Sequence, residues 1–172
     1  MCIRDSKRAD PYDVVFDVLL AEEAAVTIVL FTMSEEDVET VMRSPLMMVG
    51  SDGRAVAPYG PLSSGRPHPR YYGTFVRVLG RYARDKNVLT LENAIRKMTA
   101  LPAWRLGIVD RGLVREGMRA DLTLFDPESI LDRATFTNPH QYASGVEYVI
   151  VNGEVVVDRG NHTGAGPGRA LR

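Results

Sequence analysis

The chain reads as an α/β protein whose later part turns to short β-strands, and three stretches carry that reading. Ala24–Phe31 (AAVTIVLF) is short, continuous and β-branched, as a strand buried on both faces of a parallel sheet is. Leu46–Gly50 is a second apolar run, and a helical pattern opened by Ser34-Glu35-Glu36-Asp37 lies between the two. Strand, helix and strand in so short a span make a βαβ unit. Further on, Asn152-Gly153 stands between Val149-Ile150-Val151 and Val155-Val156-Val157, and Asn-Gly between β-branched runs is a strong hairpin signal.

In chain order, Pro11 fits a first helical turn, and Tyr12, Val15, Phe16, Val18, Leu19 and Leu20 predict an amphipathic helix to Glu23. After the first strand, Ser34 and the acids behind it predict a cap, with Val38, Val41 and Met42 carrying the helix to a stop before Pro45. Ser51 to Tyr72, rich in glycine and proline, is predicted as a loop too long for a plain connector. Loops of that kind at the carboxyl end of a strand build the wall or lid of a site. Helical spacing returns over Phe75–Arg84, and Thr90 caps a further helix through Ala94, Ile95 and Met98. Pro102–Leu106 adds a turn ended by Gly107. From Gly112 to Pro127 the pattern is one of glycine-bounded short strands, with Leu122 and Leu124 alternating about Thr123. The tail from Asn161 is glycine-rich and irregular, and there is no internal repeat.

A right-handed βαβ crossover puts the strand carboxyl ends on one side, so Met33 and Asp52 are expected to face one cavity. Met47-Met48-Val49-Gly50-Ser51-Asp52-Gly53 is an apolar run that ends in a carboxylate among small residues, which makes Asp52 the candidate catalytic group. Arg66-Pro67-His68-Pro69-Arg70 comes next on the loop and offers a base, His68, and an anion anchor, Arg70. His140 and His162 read as surface or turn residues. Asp121 is expected to bond a turn or a backbone amide, and Asp110-Arg111-Gly112 to form a turn with a local ion pair.

Composition narrows the function classes. The net charge of −1 gives no reason to expect nucleic acid or an anionic membrane as partner. No apolar run approaches the roughly 20 residues that span a bilayer. A single cysteine, Cys2, excludes an internal disulfide and fits a reducing cytoplasm. Residues 1–10 lack the apolar stretch of a signal peptide and read as a non-native or disordered start. The helical pattern at Pro11 has no strand before it, so the chain is expected to be a carboxy-terminal fragment. His68, His140 and His162 have neither H-x-H nor HExxH spacing, so no metal site is expected within it.

Several motifs then converge. SDG, HPR-x-YGTF-x-RVLG-x-Y-x-RD, LE-x-A-x-RKMT-x-x-PA-x-x-LG, DRG, G-x-RADL-x-x-FDP, VNG and TG-x-x-PGR resemble the carboxy-terminal third of the D-aminoacylases, the N-acyl-D-amino-acid deacylases of the amidohydrolase superfamily. The resemblance runs from Ser34 to Arg172. It implies the last strands and helices of a metal-dependent (β/α)8 barrel over 11–107, then part of a small β-sandwich over 108–172.

For chemistry, the resemblance implies zinc-assisted hydrolysis of the amide of an N-acyl-D-amino acid, with the main zinc ligands absent from this chain. A metal lowers the pKa of bound water, and a nearby carboxylate moves the proton to the leaving nitrogen. Asp52 matches the family's aspartate in that role, and Arg70 a position that reads the substrate's α-carboxylate, for which a planar guanidinium is suited. His68 would help fix the loop, and Met33 matches the wall of the side-chain pocket. The isolated 172 residues are expected to lack deacylase activity. Alternatives are another amidohydrolase, dihydroorotase- or hydantoinase-like, or a noncatalytic barrel scaffold.

Overall fold

The computed structural model describes residues 10–26, 28, 30 and 32–171, and the chain forms two compact units divided after Thr32. Residues 1–9 of the expected non-native start lie outside the described residues. In the first unit, helix α1 (Pro11–Ala21) begins where the Asp10 side chain accepts from the backbone N–H of Tyr12 at 2.8 Å, with Pro11 in the first turn. It closes at Glu22, and the backbone turns left-handed at Glu23 and Ala24. Of the expected strand Ala24–Phe31, Thr27, Val29 and Phe31 lie outside the described residues, and Ala25, Val26, Ile28 and Leu30 belong to no strand.

The second unit, Met33–Arg172, opens on helix α2 (Glu35–Arg43). Ser34 Oγ accepts from Asp37 N at 3.1 Å, three acids occupy the positive end of the helix and Arg43 its negative end. Lys86 bonds Glu35 and Glu39 at 2.9 and 2.5 Å, and Arg81 reaches Glu35 at 3.1 Å. The Lys86 ammonium, with Arg81 beside it, holds the Glu35 carboxyl down at about 2.

Leu46–Gly50, expected as a buried strand, is not one. Among the described residues its backbone–backbone bonds are Met47 N to Ser44 O and Val49 N to Lys97 O, both 3.2 Å. A strand needs a row of such bonds to a neighbouring strand, and none lies beside this segment among the described residues.

Helix α3 (Arg70–Arg77) continues without a break into a π-helical stretch, Val78–Asp85, where the bonds widen, as from Lys86 N to Arg81 O at 2.9 Å. Spacing predicted this helix only from Phe75. It starts at Arg70 because the His68 and Pro69 carbonyls close its first turn, accepting from Tyr71, Tyr72 and Gly73. Thr90 caps α4 (Leu91–Met98), its hydroxyl accepting from Asn93 N at 3.2 Å, and α5 (Ala100–Arg105) ends at Gly107, whose φ is 72°.

No strand forms between Gly112 and Asp121; the first is β1 (Leu122–Phe125), followed by β2 (Val146–Val151), β3 (Glu154–Asp158) and β4 (Asn161–His162). They make one antiparallel sheet in sequence order. Val151 pairs with Glu154 across Asn152-Gly153, whose φ values of 50° and 85° are what a two-residue hairpin of this hand requires. Arg111, Asp121 and Asn152 form a node beside that turn. Arg111 pairs with Asp121 and donates to Asn152 Oδ1 at 2.7 Å; Asn152 donates from its backbone to Asp121 Oδ1 at 2.7 Å and from its amide to Pro167 O at 2.8 Å. The DRG, RADL, VNG and PGR motifs thus meet in one structural network.

The core gathers Met42, Val78, Leu79, Tyr82, Ala83, Leu89, Ala94 and Ile130. Ile130, 1% exposed, is enclosed on two sides by glycines. A Cβ on Gly80 would stand 2.5 Å from Ile130 O, and one on Gly145 2.5 Å from Ile130 Cα. Arg84 adds donors to Ile130 O at 2.8 Å and Glu128 O at 3.1 Å. Gly80→Ala is therefore expected to lower stability by about 1–3 kcal/mol, the usual range for overpacking. A fall in urea midpoint checks it, with Gly166→Ala, whose Cβ enters open space, as the unaffected control.

Candidate active site

Asp52 lies just past the Met47–Gly50 segment in the left-handed region, φ 47°, which short polar side chains tolerate better than others. Ser51 Oγ supports the turn by accepting from Gly53 N at 3.2 Å. Arg70, the first residue of α3, grips Asp52 at two points: Nη2 stands 2.8 Å from Oδ2, and Nε donates to the Asp52 carbonyl at 3.1 Å. Asp52 is 84% exposed in its side chain and Arg70 39%, so both face solvent. The Tyr71 ring carries the guanidinium of Arg70 on it, 5.8 Å from its centroid, and that of Arg54 at 5.9 Å.

His68 holds the helix start. Its Nδ1 accepts from Arg70 N at 3.0 Å, and its ring meets the edge of Phe136 at 5.0 Å between centroids. An accepting Nδ1 carries no proton, so the neutral ring has its hydrogen on Nε2. Burial lowers the pKa of His68, the Arg70 cation lowers it further, and the Asp52 carboxylate opposes both.

Met33, 80% exposed, is placed elsewhere. It lines an apolar cleft of about 360 Å³ together with Met42, Met47, Met48, Gly50 and Arg77, among others. Asp52 and Arg70 do not line that cleft. The expectation that Met33 and Asp52 face one cavity is not met, because the backbone turns at Asp52 and directs its carboxylate to Arg70.

The spacing of residues gave no notice of a second group around the loop. His140 Nε2 stands 3.0 Å from Gly65 O, and a carbonyl only accepts, so the proton is on Nε2 and Nδ1 takes the Tyr72 hydroxyl at 2.9 Å. Tyr142 packs edge-on against Tyr72 with 5.7 Å between centroids. Burial raises the pKa of both tyrosines, with Tyr59 adding to the rise at Tyr142. His140, read from sequence as a surface or turn residue, ties Gly65 of the long loop to the start of α3. Among the described residues, no three His, Cys, Asp or Glu side chains lie together as a metal ion requires.

Comparison with known proteins decides the family. The Amidohydrolase family profile matches residues 11–157. The chain belongs to that family. It is 43% identical over 166 residues to an N-acyl-D-aspartate deacylase, and 44% identical over 143 residues to a D-aminoacylase, both of Alcaligenes xylosoxydans xylosoxydans. These alignments take in 92% and 83% of this chain but 32% and 28% of the relatives, so the chain spans about three-tenths of the length of the proteins it matches. The amidohydrolase fold extends to solved structures. A D-aminoacylase crystal structure superposes with TM-score 0.70 at 43% identity, over 77% of this chain and 27% of that one. An N-acyl-D-glutamate deacylase from Bordetella bronchiseptica, complexed with zinc and a phosphonate inhibitor that mimics the tetrahedral intermediate, gives 0.65 at 44% identity over 72% and 25%. The α/β fold of this amidohydrolase chain is that of part of those structures.

The histidine supplies a test of the geometry. Its folded-state pKa is depressed, so His68 lowers stability as pH falls below the ordinary 6.5 and has no effect above it. In an NMR titration its midpoint is expected below 6.5, and Asp52→Asn, which removes the opposing carboxylate, is expected to lower it further. A midpoint that rises in the variant contradicts the arrangement.

Proposed function

We propose that the protein to which this chain belongs hydrolyses the amide of N-acyl-D-amino acids, with Asp52 moving the proton and Arg70 holding the substrate carboxylate. One observation carries the reading: an arginine and a carboxylate from separate segments stand 2.8 Å apart at an exposed rim. In an N-acyl amino acid the carboxylate carbon and the amide nitrogen share one α-carbon. A group that reads the first and a group that works at the second must therefore be near neighbours, as Arg70 and Asp52 are.

Arg70 already engages a carboxylate. The substrate's offers the same planar pair of oxygens, and in taking Asp52's place on the guanidinium it leaves Asp52 free to act as a base. Asp52 accepts a proton from the water that attacks the acyl carbon, then gives it to the nitrogen as the C–N bond breaks. A carboxylate and a D-amino acid result. His68 keeps Arg70 at the helix start through its bond to the Arg70 N–H. The described residues do not by themselves offer a metal site. Zinc is proposed as the metal of the whole enzyme on the strength of its presence in the Bordetella relative, with ligands outside these residues. The relatives' acidic substrates keep D-aspartate and D-glutamate among the side chains to be tried.

The test is a hybrid in which residues 33–172 replace the matching segment of the N-acyl-D-aspartate deacylase. The hybrid is expected to turn over N-acyl-D-amino acids, and Asp52→Asn to lower kcat by roughly 10²–10⁴-fold. Retained turnover in that variant overturns the assignment. Arg70→Ala is expected to raise KM for an N-acyl-D-amino acid on the order of tenfold or more, the loss of a charge-assisted pair, and to leave an uncharged amide little affected. Equal losses on both substrates remove the carboxylate role.

A further inference from the structure

Lys97 is the one charged residue among the described residues that is wholly buried, at 0% exposure. It forms no ion pair with any described residue. Its ammonium donates to the carbonyls of Ser44 and Met47, the latter at 3.3 Å, and its own carbonyl accepts from Val49 N at 3.2 Å. Burial, with Arg96 nearby, lowers its pKa, so the charge is held there at a cost. A methionine of similar length would fill the space without that cost. What the lysine adds is directional donors, and all that are seen go to one segment.

That segment is Ser44–Val49, beside which no strand lies among the described residues, and it runs directly into Gly50-Ser51-Asp52. With a side chain on two of its carbonyls and a backbone oxygen on one of its amides, Lys97 contacts it at three points along its length. We propose that Lys97 is a positioning residue for Asp52: it fixes the course of Ser44–Val49 over α4, and through it the rim at which Asp52 meets Arg70. The role in catalysis rests on the deacylase reading of Asp52, whereas the clamp itself does not.

The experiment uses the full 172-residue chain and needs no turnover. Proton–nitrogen NMR follows the Val49 amide, the Arg70 Nε–H that donates to Asp52 O, and the Gly153 amide that donates to Ala120 O as a distant control. In Lys97→Met, Val49 and Arg70 Nε–H are expected to exchange faster by on the order of tenfold or more, as befits loss of the donor to buried carbonyls, while Gly153 is unchanged. Lys97→Arg, which keeps the charge and the donors, is expected to restore slow exchange at both. Unchanged exchange at Val49 and Arg70 in Lys97→Met overturns the proposal. So does equal acceleration at all three groups with no recovery in Lys97→Arg, which is the signature of a core residue that merely supports the fold. An inactive hybrid enzyme would sink the deacylase reading and leave this result standing.

Discussion

No side chain fits between the helix that begins at Arg70 and the backbone of Ile130, and that close approach fixes where the helix lies. Gly80 faces the Ile130 carbonyl and Gly145 its α-carbon, each where a Cβ would come within 2.5 Å. The Ile130 side chain fills a buried place in the core with Val78, Leu79 and Tyr82. Interiors are packed densely enough that such a contact has one good solution. Because α3 and its π-helical extension form one rod, fixing it at Gly80 also fixes its first residue, Arg70, which is the residue the proposed site needs placed.

The Asp52–Arg70 pair itself contributes little to that order. Both partners are solvent-exposed, and ion pairs of this kind are worth at most about 1 kcal/mol and weaken with salt. The site owes its geometry to groups around it: the left-handed turn at Asp52, the His68 ring under the Arg70 amide, and the Tyr72–His140–Gly65 chain that ties the long loop to the same helix. A weak pair on a firm frame suits the proposed reaction, in which the substrate's carboxylate takes the place of Asp52 at the guanidinium.

What could be seen in the sequence was what local chemistry decides. The caps at Ser34 and Thr90 and the Asn152-Gly153 turn depend on residues within a few positions of one another, and Pro11, Ser34, Thr90 and the β-branched flanks announced the elements they begin or border, whereas Asp10, read as part of a non-native start, in fact caps the first helix. Asp52 and Arg70 came into view through the motifs that contain them. Pairings across long stretches were not visible: Tyr72 with His140, Arg111 with Asn152 and Gly80 with Ile130 have no short-range sign. Leu46–Gly50 misled because an apolar run tells how a segment is buried but not whether a neighbouring strand will complete its hydrogen bonds. The start of α3 was hidden because Arg70, Tyr71 and Tyr72 interrupt the apolar spacing with groups that serve the site and the loop.

The motifs that carry the family resemblance fall into two physical kinds. DRG, RADL, VNG and PGR are explained by the fold: Arg111, Asp121, Asn152 and the Pro167 carbonyl bond one another around the hairpin, and removing any one would leave a partner unmatched. The lysine of RKMT is explained in the same way by the carbonyls it reaches. Asp52 is different. Its side chain is 84% exposed, its backbone is in a region that costs most residues energy, and its ion pair with Arg70 is too exposed to repay that. The backbone at that position favours a short polar residue but does not call for a charge, whereas the proposed proton transfer beside the proposed carboxylate-binding Arg70 does, and on this difference the proposal for Asp52 rests.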